Sequence, residues 1–430
     1  SAPGRRLVAL ISRLPSASFM LILVSLALLV FGLVMGFSAS FVTGKTGTEQ
    51  LADQLGFALI GLILVGLLLV FTRRLFSQQR EIWFWFVTVI WLAALVCMIL
   101  VFVPGLGVRV NGAARWLNLP LLPSFQPSEF AKVALILFAA ASLERIRVDG
   151  SRLLGWVLIV TYALLIALTL LQNDLGSAML MHIALLAVMF FGEMPLLERG
   201  SKALFSILPL TVMPLVVLAV SYLMPSFRQN RWAGFLNRLD SLQALQAIPD
   251  QPRNGFLALG DGGLTGLGFG LSKQKYFYLS FPDSDFIFAI IGEELGLIGA
   301  SIVILLFILF AWFGLRIASK AASNLGKMMA GGATSIIVAQ ALVNIGGVSG
   351  VLPLTGKPLP FFSMGGSSLI VTLILVGVIL SVAWFDSAQE SAIRRRDAFK
   401  LVEGGYQSYQ PIRQESSRSL RTSRPVGVRH

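Results

Sequence analysis

One cysteine in 430 residues, Cys97, leaves no partner for an intramolecular disulfide and rules out a cysteine-based metal site. Only two histidines, His182 and His430, accompany it, too few to suggest zinc or haem ligation. Charge is scarce as well. Asp, Glu, Lys and Arg make up 13% of the chain and 56% is hydrophobic, whereas soluble domains carry about a quarter charged residues. A water-soluble fold cannot hide that much apolar surface, which excludes the soluble classes of enzyme and binding module.

What is present is a series of apolar runs, each of roughly 18 residues or more and able to cross a hydrocarbon core of about 30 Å. They predict an all-α integral membrane fold of about ten transmembrane helices. The spans fall near 19–41, 55–72, 82–103, 127–143, 153–171, 175–192, 203–224, 285–315, 328–351 and 366–385. Basic residues mark alternate loops: Arg5, Arg6 and Arg13; Arg73, Arg74 and Arg80; Arg145, Arg147 and Arg152; Arg199 and Lys202; Arg316, Lys320 and Lys327. By the positive-inside rule those loops and both termini are cytoplasmic. Residues 1–18 read as a cytoplasmic segment without a cleavable signal pattern, 19–390 as the membrane domain, and 391–430 as a basic, disordered cytoplasmic tail. The net charge of +13 is then a topology signal plus attraction to anionic lipid head groups. Charges spread over separate loops do not form a nucleic-acid surface.

The long extracytoplasmic loop, 225–284, stands out, because connections of that length tend to be functional. It carries Arg228, Arg231, Arg238, Arg253, Lys273 and Lys275 on the side where the positive-inside rule does not place them. Either it is merely solvated, or it is a cationic surface for an anionic substrate.

Four groups place ionisable residues at or near membrane depth, where they are costly and usually functional. The first joins Asn111-Gly-Ala-Ala-Arg115-Trp116 to Gln126-Pro-Ser-Glu129-Phe-Ala-Lys132. Here Pro127 suits a first helical turn, Ser128 or Gln126 suits a cap, and Glu129 suits the positive end of the helix dipole. Lys132 forms an i, i+3 pair with Glu129 or awaits a lipid-linked pyrophosphate. In the second group, Gln172-Asn-Asp174-Leu-Gly176-Ser177, Asp174 caps a helix or holds a divalent cation or a lysine. The third runs from Lys275 through Asp283-Ser284-Asp285 to Glu293-Glu294. In it Asp285 precedes an apolar run as a cap would, and the adjacent carboxylates must be paired, protonated or facing a polar cavity. The fourth is Pro353-Leu-Thr-Gly356-Lys357-Pro-Leu-Pro-Phe-Phe-Ser363-Met-Gly-Gly366-Ser367-Ser368. This rigid hairpin opens the last span with free amides, either as an anion site or as close helix packing by small residues.

Six stretches in register resemble the signatures of the SEDS family of peptidoglycan glycosyltransferases, which includes FtsW and RodA. They are residues 112–116, 126–132, 174–176, 262–268, 285–294 and 359–368. The resemblance spans roughly 19–386. It implies polymerisation of lipid II at the outer face of the cytoplasmic membrane, by β-1,4 bonds and with release of undecaprenyl pyrophosphate, in division or elongation. The hairpin beginning at Lys357 leans toward FtsW.

By the same resemblance Asp285 is the catalytic base. Arg115 and Lys132 hold the pyrophosphate. Asp174, Glu129, Lys275, Glu293, Glu294, Lys357, Ser367 and Ser368 complete a substrate-binding set. A divalent cation, Mg or Mn, would sit on Asp174 or Asp285, with no organic cofactor. The implied partners are lipid II, the nascent glycan strand, a single-span class B penicillin-binding protein and other division or elongation proteins. The chain departs from the family's usual Leu-Pro-Glu-x-His-Thr-Asp, having Leu279-Ser-Phe-Pro-Asp283-Ser284-Asp285, so Asp283 stands where the family has His and is expected to raise the pKa of Asp285 by like-charge repulsion. Asn173 replaces a common Pro. Two other classes compete: a lipid II flippase and a non-catalytic scaffold of the division complex. Clustering of the charged groups at the outer mouth opposes the first, since alternating access favours a midplane site.

Overall fold

The computed structural model describes residues 16–40, 47–78, 80–110, 113–119, 123–192, 215, 250–276, 279 and 282–385. Nearly all of the expected span 203–224, the loop segment 225–249 and the tail 391–430 lie outside the described residues. The first helices are α1 (Ser16–Ser40), α2 (Gly47–Gln78), α3 (Arg80–Leu100), α4 (Pro127–Asp149), α5 (Arg152–Leu171) and α6 (Leu175–Phe191). They are followed by α7 (Asp250–Asp261), α8 (Ile287–Lys320), α9 (Asn324–Val348) and α10 (Gly366–Phe385). Every other expected span coincides with one of these helices.

Seven described helices are long and apolar enough to cross a membrane, and α6, at 17 residues, is a shorter apolar helix. α4 carries Glu129 and Lys132 and is buried along most of its length. Burial sorts the helices. The apolar windows of α10 and α9 are 78% and 67% buried, against 22% for α2, so α9 and α10 lie inside the bundle and α2 at its rim. Leu59, Val89, Val160, Ile308 and Trp312 face outward, as a lipid-facing surface requires.

The all-α expectation holds, with one small addition. β1 (Gly107–Val110) and β2 (Ala113–Leu117) form an antiparallel hairpin between α3 and α4. Its signal was in the sequence: Val108-Arg109-Val110 alternates just before Asn111-Gly112, the dipeptide that favours tight hairpins.

The expected eighth span also differs from a plain helix. α8 is interrupted at Gly296, where φ is 66° and ψ −165°. A break inside an apolar helix frees backbone groups that lipid cannot satisfy. Here the segment after α7 satisfies them. The amides of Leu267 and Gly268 donate to the carbonyls of Glu293 and Glu294 at 2.9 and 3.0 Å. In return, Leu297 and Ile298 donate to Gly263 and Leu264 at 2.9 and 3.2 Å. The Gly-rich stretch 262–268 thus fills the gap in α8. Close approach explains its composition: a Cβ on Gly266, whose φ is 82°, would lie 2.1 Å from the carbonyl oxygen of Glu294.

Gly266→Ala is therefore expected to lower stability by roughly 3 kcal/mol or more, from left-handed strain plus overpacking. Gly263→Ala, at φ 53° but with open space around it, should cost only about 1 kcal/mol. Thermal unfolding of both variants in detergent separates the two contributions.

Candidate functional site

The α5–α6 connection is tight, and Asn173 turns it with φ 54°. Proline cannot adopt that angle and asparagine can, which accounts for this departure from the family pattern. Arg115 on β2 locks the turn: its Nε donates to the carbonyl of Gln172 at 3.2 Å and its Nη2 to that of Asn173 at 2.5 Å. Asp174 then caps α6, its Oδ1 accepting from the Ser177 amide at 3.1 Å.

Capping uses one carboxylate oxygen of Asp174. The other accepts from Lys357 Nζ at 2.8 Å, Ser177 Oγ at 2.8 Å and Gln126 Nε2 at 3.2 Å. Two of the three sequence readings of Asp174, helix cap and lysine holder, are thus realised in one side chain. Lys357 also donates to Ser177 Oγ. It runs so close over α6 that a Cβ on Gly176 would stand 2.8 Å from its Cε. Burial works to raise the Asp174 carboxyl, but the Lys357 and Arg115 cations and the hydrogen bonds from Lys357 and the Ser177 amide outweigh it and hold the group well below the usual carboxylate range.

Lys132 lies nearby on α4, fully enclosed. It pairs with Glu129 Oε2 at 2.8 Å and donates to Gln340 Oε1 at 2.6 Å. The side chain of Gln126, the residue preceding α4, makes no capping bond; it is turned to Asp174 instead. From α9, Gln340 donates to the Pro358 carbonyl at 2.9 Å, and Asn344 bridges the carbonyls of Asp285 and Lys357 at 2.8 and 2.7 Å. Those two amides tie the 353–365 hairpin to the turn before α8.

Asp285 sits in that turn and does not cap α8; Phe286 occupies the cap position without a side-chain bond. A Cβ on Gly356 would lie 3.3 Å from Asp285 Oδ2, so the carboxylate adjoins the hairpin one residue from Lys357. The turn is fixed further by Ser363 Oγ donating to the Ser284 carbonyl and by the Met364 amide donating to that of Asp283, both at 2.8 Å. Burial, aided by the negative charge of Asp285, raises the Asp283 carboxyl above its ordinary value; a backbone hydrogen bond opposes this. Ser367, in the first turn of α10, accepts from the Gln126 amide at 3.2 Å, and Ser368 beside it is buried.

Lys275, Glu293 and Glu294 form a second cluster. Lys275 pairs with Glu294 at 2.9 Å and donates to the carbonyls of Ser38 and Gly270. Ser38 Oγ donates to both oxygens of Glu294 at 2.8 and 2.7 Å. Glu293 accepts from Ser272 Oγ at 2.5 Å and from the Lys273 amide at 2.7 Å. The adjacent carboxylates are thus paired and bonded as membrane depth demands, and they staple loop 270–275 to α8 and α1. Lys275, expected on a cationic loop surface, is 2% exposed. Ion pairing with Glu294 drew it inward.

Sequence reasoning offered Gln126 only as a helix cap and left Ser177, Gln340 and Asn344 without roles. For the last two the signal existed: amides four residues apart on one face of an apolar span. Among the described residues no group of three or more His, Cys, Asp or Glu is placed to hold a metal. Asp174, taken up by Lys357, Ser177 and Gln126, is a poor ligand for one.

The family model for cell cycle proteins of the FtsW, RodA and SpoVE type matches residues 18–388. A probable peptidoglycan glycosyltransferase FtsW of Geobacter metallireducens is 35% identical over 378 residues, covering 84% of this chain and 93% of that one. Stage V sporulation protein E of Bacillus subtilis is 35% identical over 384 residues, covering 86% and 97%. Among solved structures, a chain of a peptidoglycan synthase complex superposes with a TM-score of 0.63 at 26% identity, covering 84% of this chain and 96% of that one. The rod shape determining protein RodA of Thermus thermophilus gives 0.58 at 26%, covering 84% and 95%. With its fold, its motifs and its relatives in agreement, this multi-pass membrane chain belongs to the FtsW, RodA and SpoVE family of cell cycle proteins, the SEDS glycosyltransferases.

Proposed function

We propose that this chain polymerises peptidoglycan glycan strands from lipid II at the outer face of the cytoplasmic membrane, with both termini in the cytoplasm. The observation that carries the reading is the placement of Asp285 against the hairpin that the buried Lys357–Asp174 pair anchors. A half-buried carboxylate on a turn tied down at three points is preorganised to act on a substrate proton. The names of the relatives, peptidoglycan glycosyltransferase among them, support the same reaction.

In this reaction the acceptor sugar hydroxyl attacks C1 of the donor sugar. The new C–O bond forms as the bond from C1 to the pyrophosphate oxygen breaks, the proton passes to Asp285, and undecaprenyl pyrophosphate leaves. Arg115, half-buried on β2, supplies positive charge where the leaving group's negative charge grows, and Lys132, enclosed with Glu129 and Gln340, acts as a positioning residue. Lys357 acts as a positioning residue, holding the hairpin against Asp285. Of the residues present, Asp285 is the one that would hold a Mg2+ or Mn2+ ion, which would supply positive charge to neutralise the leaving group. The partner that fits is a single-span class B penicillin-binding protein, whose helix would pack on the outward apolar faces of α8 and α9, where Leu297, Ile302 and Leu342 are exposed. A neighbouring solved structure is a peptidoglycan synthase complex.

Asp285→Ala should reduce strand formation from purified lipid II by about 100-fold or more while leaving the protein folded, measured in detergent with and without a divalent cation and the cognate transpeptidase. Strands from the variant at the wild-type rate would remove Asp285 from the reaction. If the partnered wild type makes none, yet its vesicles move labelled lipid II between leaflets, the transport class replaces this one.

Asp174→Asn leaves Lys357 buried without its counter-charge and should cost about 3 kcal/mol of stability. Because the Asp174 carboxyl is held below its unfolded value, its contribution is complete above that value and disappears as pH falls through the folded one. The melting-temperature gap between wild type and Asp174→Asn is therefore expected to stay constant down to about pH 5 and to narrow below about pH 4.

A further inference from the structure

Two residues before Asp285, Asp283 reaches a cavity of about 200 Å³ between the start of α2 and the start of α10. Its polar wall is Gln50, Asp53, Gln54 and Asp283, and Phe57 and Met364 form part of its apolar wall. Gln54 is only 3% exposed, yet neither its Oε1 nor its Nε2 has a hydrogen-bond partner among the described residues. A buried amide open at both ends is costly. It persists where something that enters the cavity supplies both a donor and an acceptor.

The lining tells which chemistry that is. Two carboxylates face the cavity and, among the described residues, no lysine or arginine lines it. A phosphate is repelled here, whereas the Asp174–Lys357 cluster gathers the cations. The acceptors on Asp283, the amide of Gln54 and the ring of Phe57 suit a molecule with hydroxyls around its edge and an apolar face. The volume is below the roughly 300 to 1,000 Å³ of sites for drug-sized ligands, so it takes a single ring and not a chain.

We propose that this cavity is a saccharide subsite, in which Gln54 and Asp283 hold the acceptor sugar ring beside Asp285. The proposal rests on the polymerase reading and deepens it. Its geometry is favourable, because Asp283 and Asp285 share one short turn, at most about 7 Å apart along the chain. That turn is held to the hairpin by the bonds from Met364 and Ser363. A sugar bound through Asp283 then presents its hydroxyl to the next carboxylate along the turn.

The test compares wild type with Gln54→Leu and Asp283→Asn in three measurements: melting temperature, saturation-transfer NMR with free N-acetylglucosamine, and strand formation at graded lipid II concentrations. A leucine removes an unpartnered amide, so Gln54→Leu should melt no lower than wild type. It should nevertheless lose the sugar signal and need at least tenfold more lipid II for its half-maximal rate, and Asp283→Asn should shift the same way. Unchanged sugar signals and unchanged lipid II dependence in both variants overturn the subsite while leaving the polymerase reading standing. Mn2+ binding that Asp283→Asn abolishes, with no sugar signal in the wild type, also overturns it, in favour of a cation site. A wild type that makes no strands but whose sugar signal is lost in Gln54→Leu defeats the polymerase reading and keeps the saccharide site.

Discussion

A polar group deprived of water must find its partner inside the protein, and in a bilayer that requirement governs backbone and side chain alike. The interruption of α8 at Gly296 is tolerable because the 262–268 segment lends its own amides and carbonyls to the broken ladder. The carboxylates just before the break, Glu293 and Glu294, are bonded by the loop that continues from that segment. One stretch of chain thus repairs a helix, neutralises its acids and reaches α1 through Ser38. It also places the start of α8, and with it Asp285, at a fixed distance from the rest of the bundle.

The same requirement shapes the cluster around Asp174. A lone lysine at this depth would be driven neutral or outward, so Lys357 is there only because Asp174 and Ser177 accept from it. Asp174 in turn is held by the amide at the start of α6. The pair therefore couples the position of a hairpin to that of a helix terminus. Gln340 and Asn344 carry the coupling on to the turn before α8, through the carbonyls of Pro358, Lys357 and Asp285. Buried ion pairs contribute little net stability but penalise every arrangement that separates them, which suits a site whose geometry matters more than its strength.

The apolar runs made the helices legible because length and hydropathy suffice to define a span. The pairing of Glu129 with Lys132 and the capping by Asp174 were legible too, since both depend on residues three apart in sequence. What escaped were contacts between distant segments. Lys357 and Asp174 are 183 residues apart, and nothing local marks them as partners. Lys275 looked like part of a cationic loop because basic residues are spread through 225–284, whereas its position is decided by Glu294 and Ser38. The break in α8 was hidden for a similar reason: Gly296 alone is tolerated in a helix, and only the Gly-rich partner strip makes it a discontinuity.

The two clusters and the Gln54 cavity differ in one respect that bears on chemistry. Around Lys275 and around Lys357 the ammonium is matched by a carboxylate and neutral acceptors, so those cations are committed to the fold. At Gln54 the polar atoms are uncommitted among the described residues. Asp285 stands on the turn that joins the two regimes, with the anchored hairpin at Gly356 and the open cavity at Asp283. A base placed there has one rigid neighbour to fix its direction and one open neighbour through which a hydroxyl can approach. That asymmetry is what transfer of a sugar onto a hydroxyl demands, because the proton acceptor must stay still while the molecule that gives up the proton comes and goes.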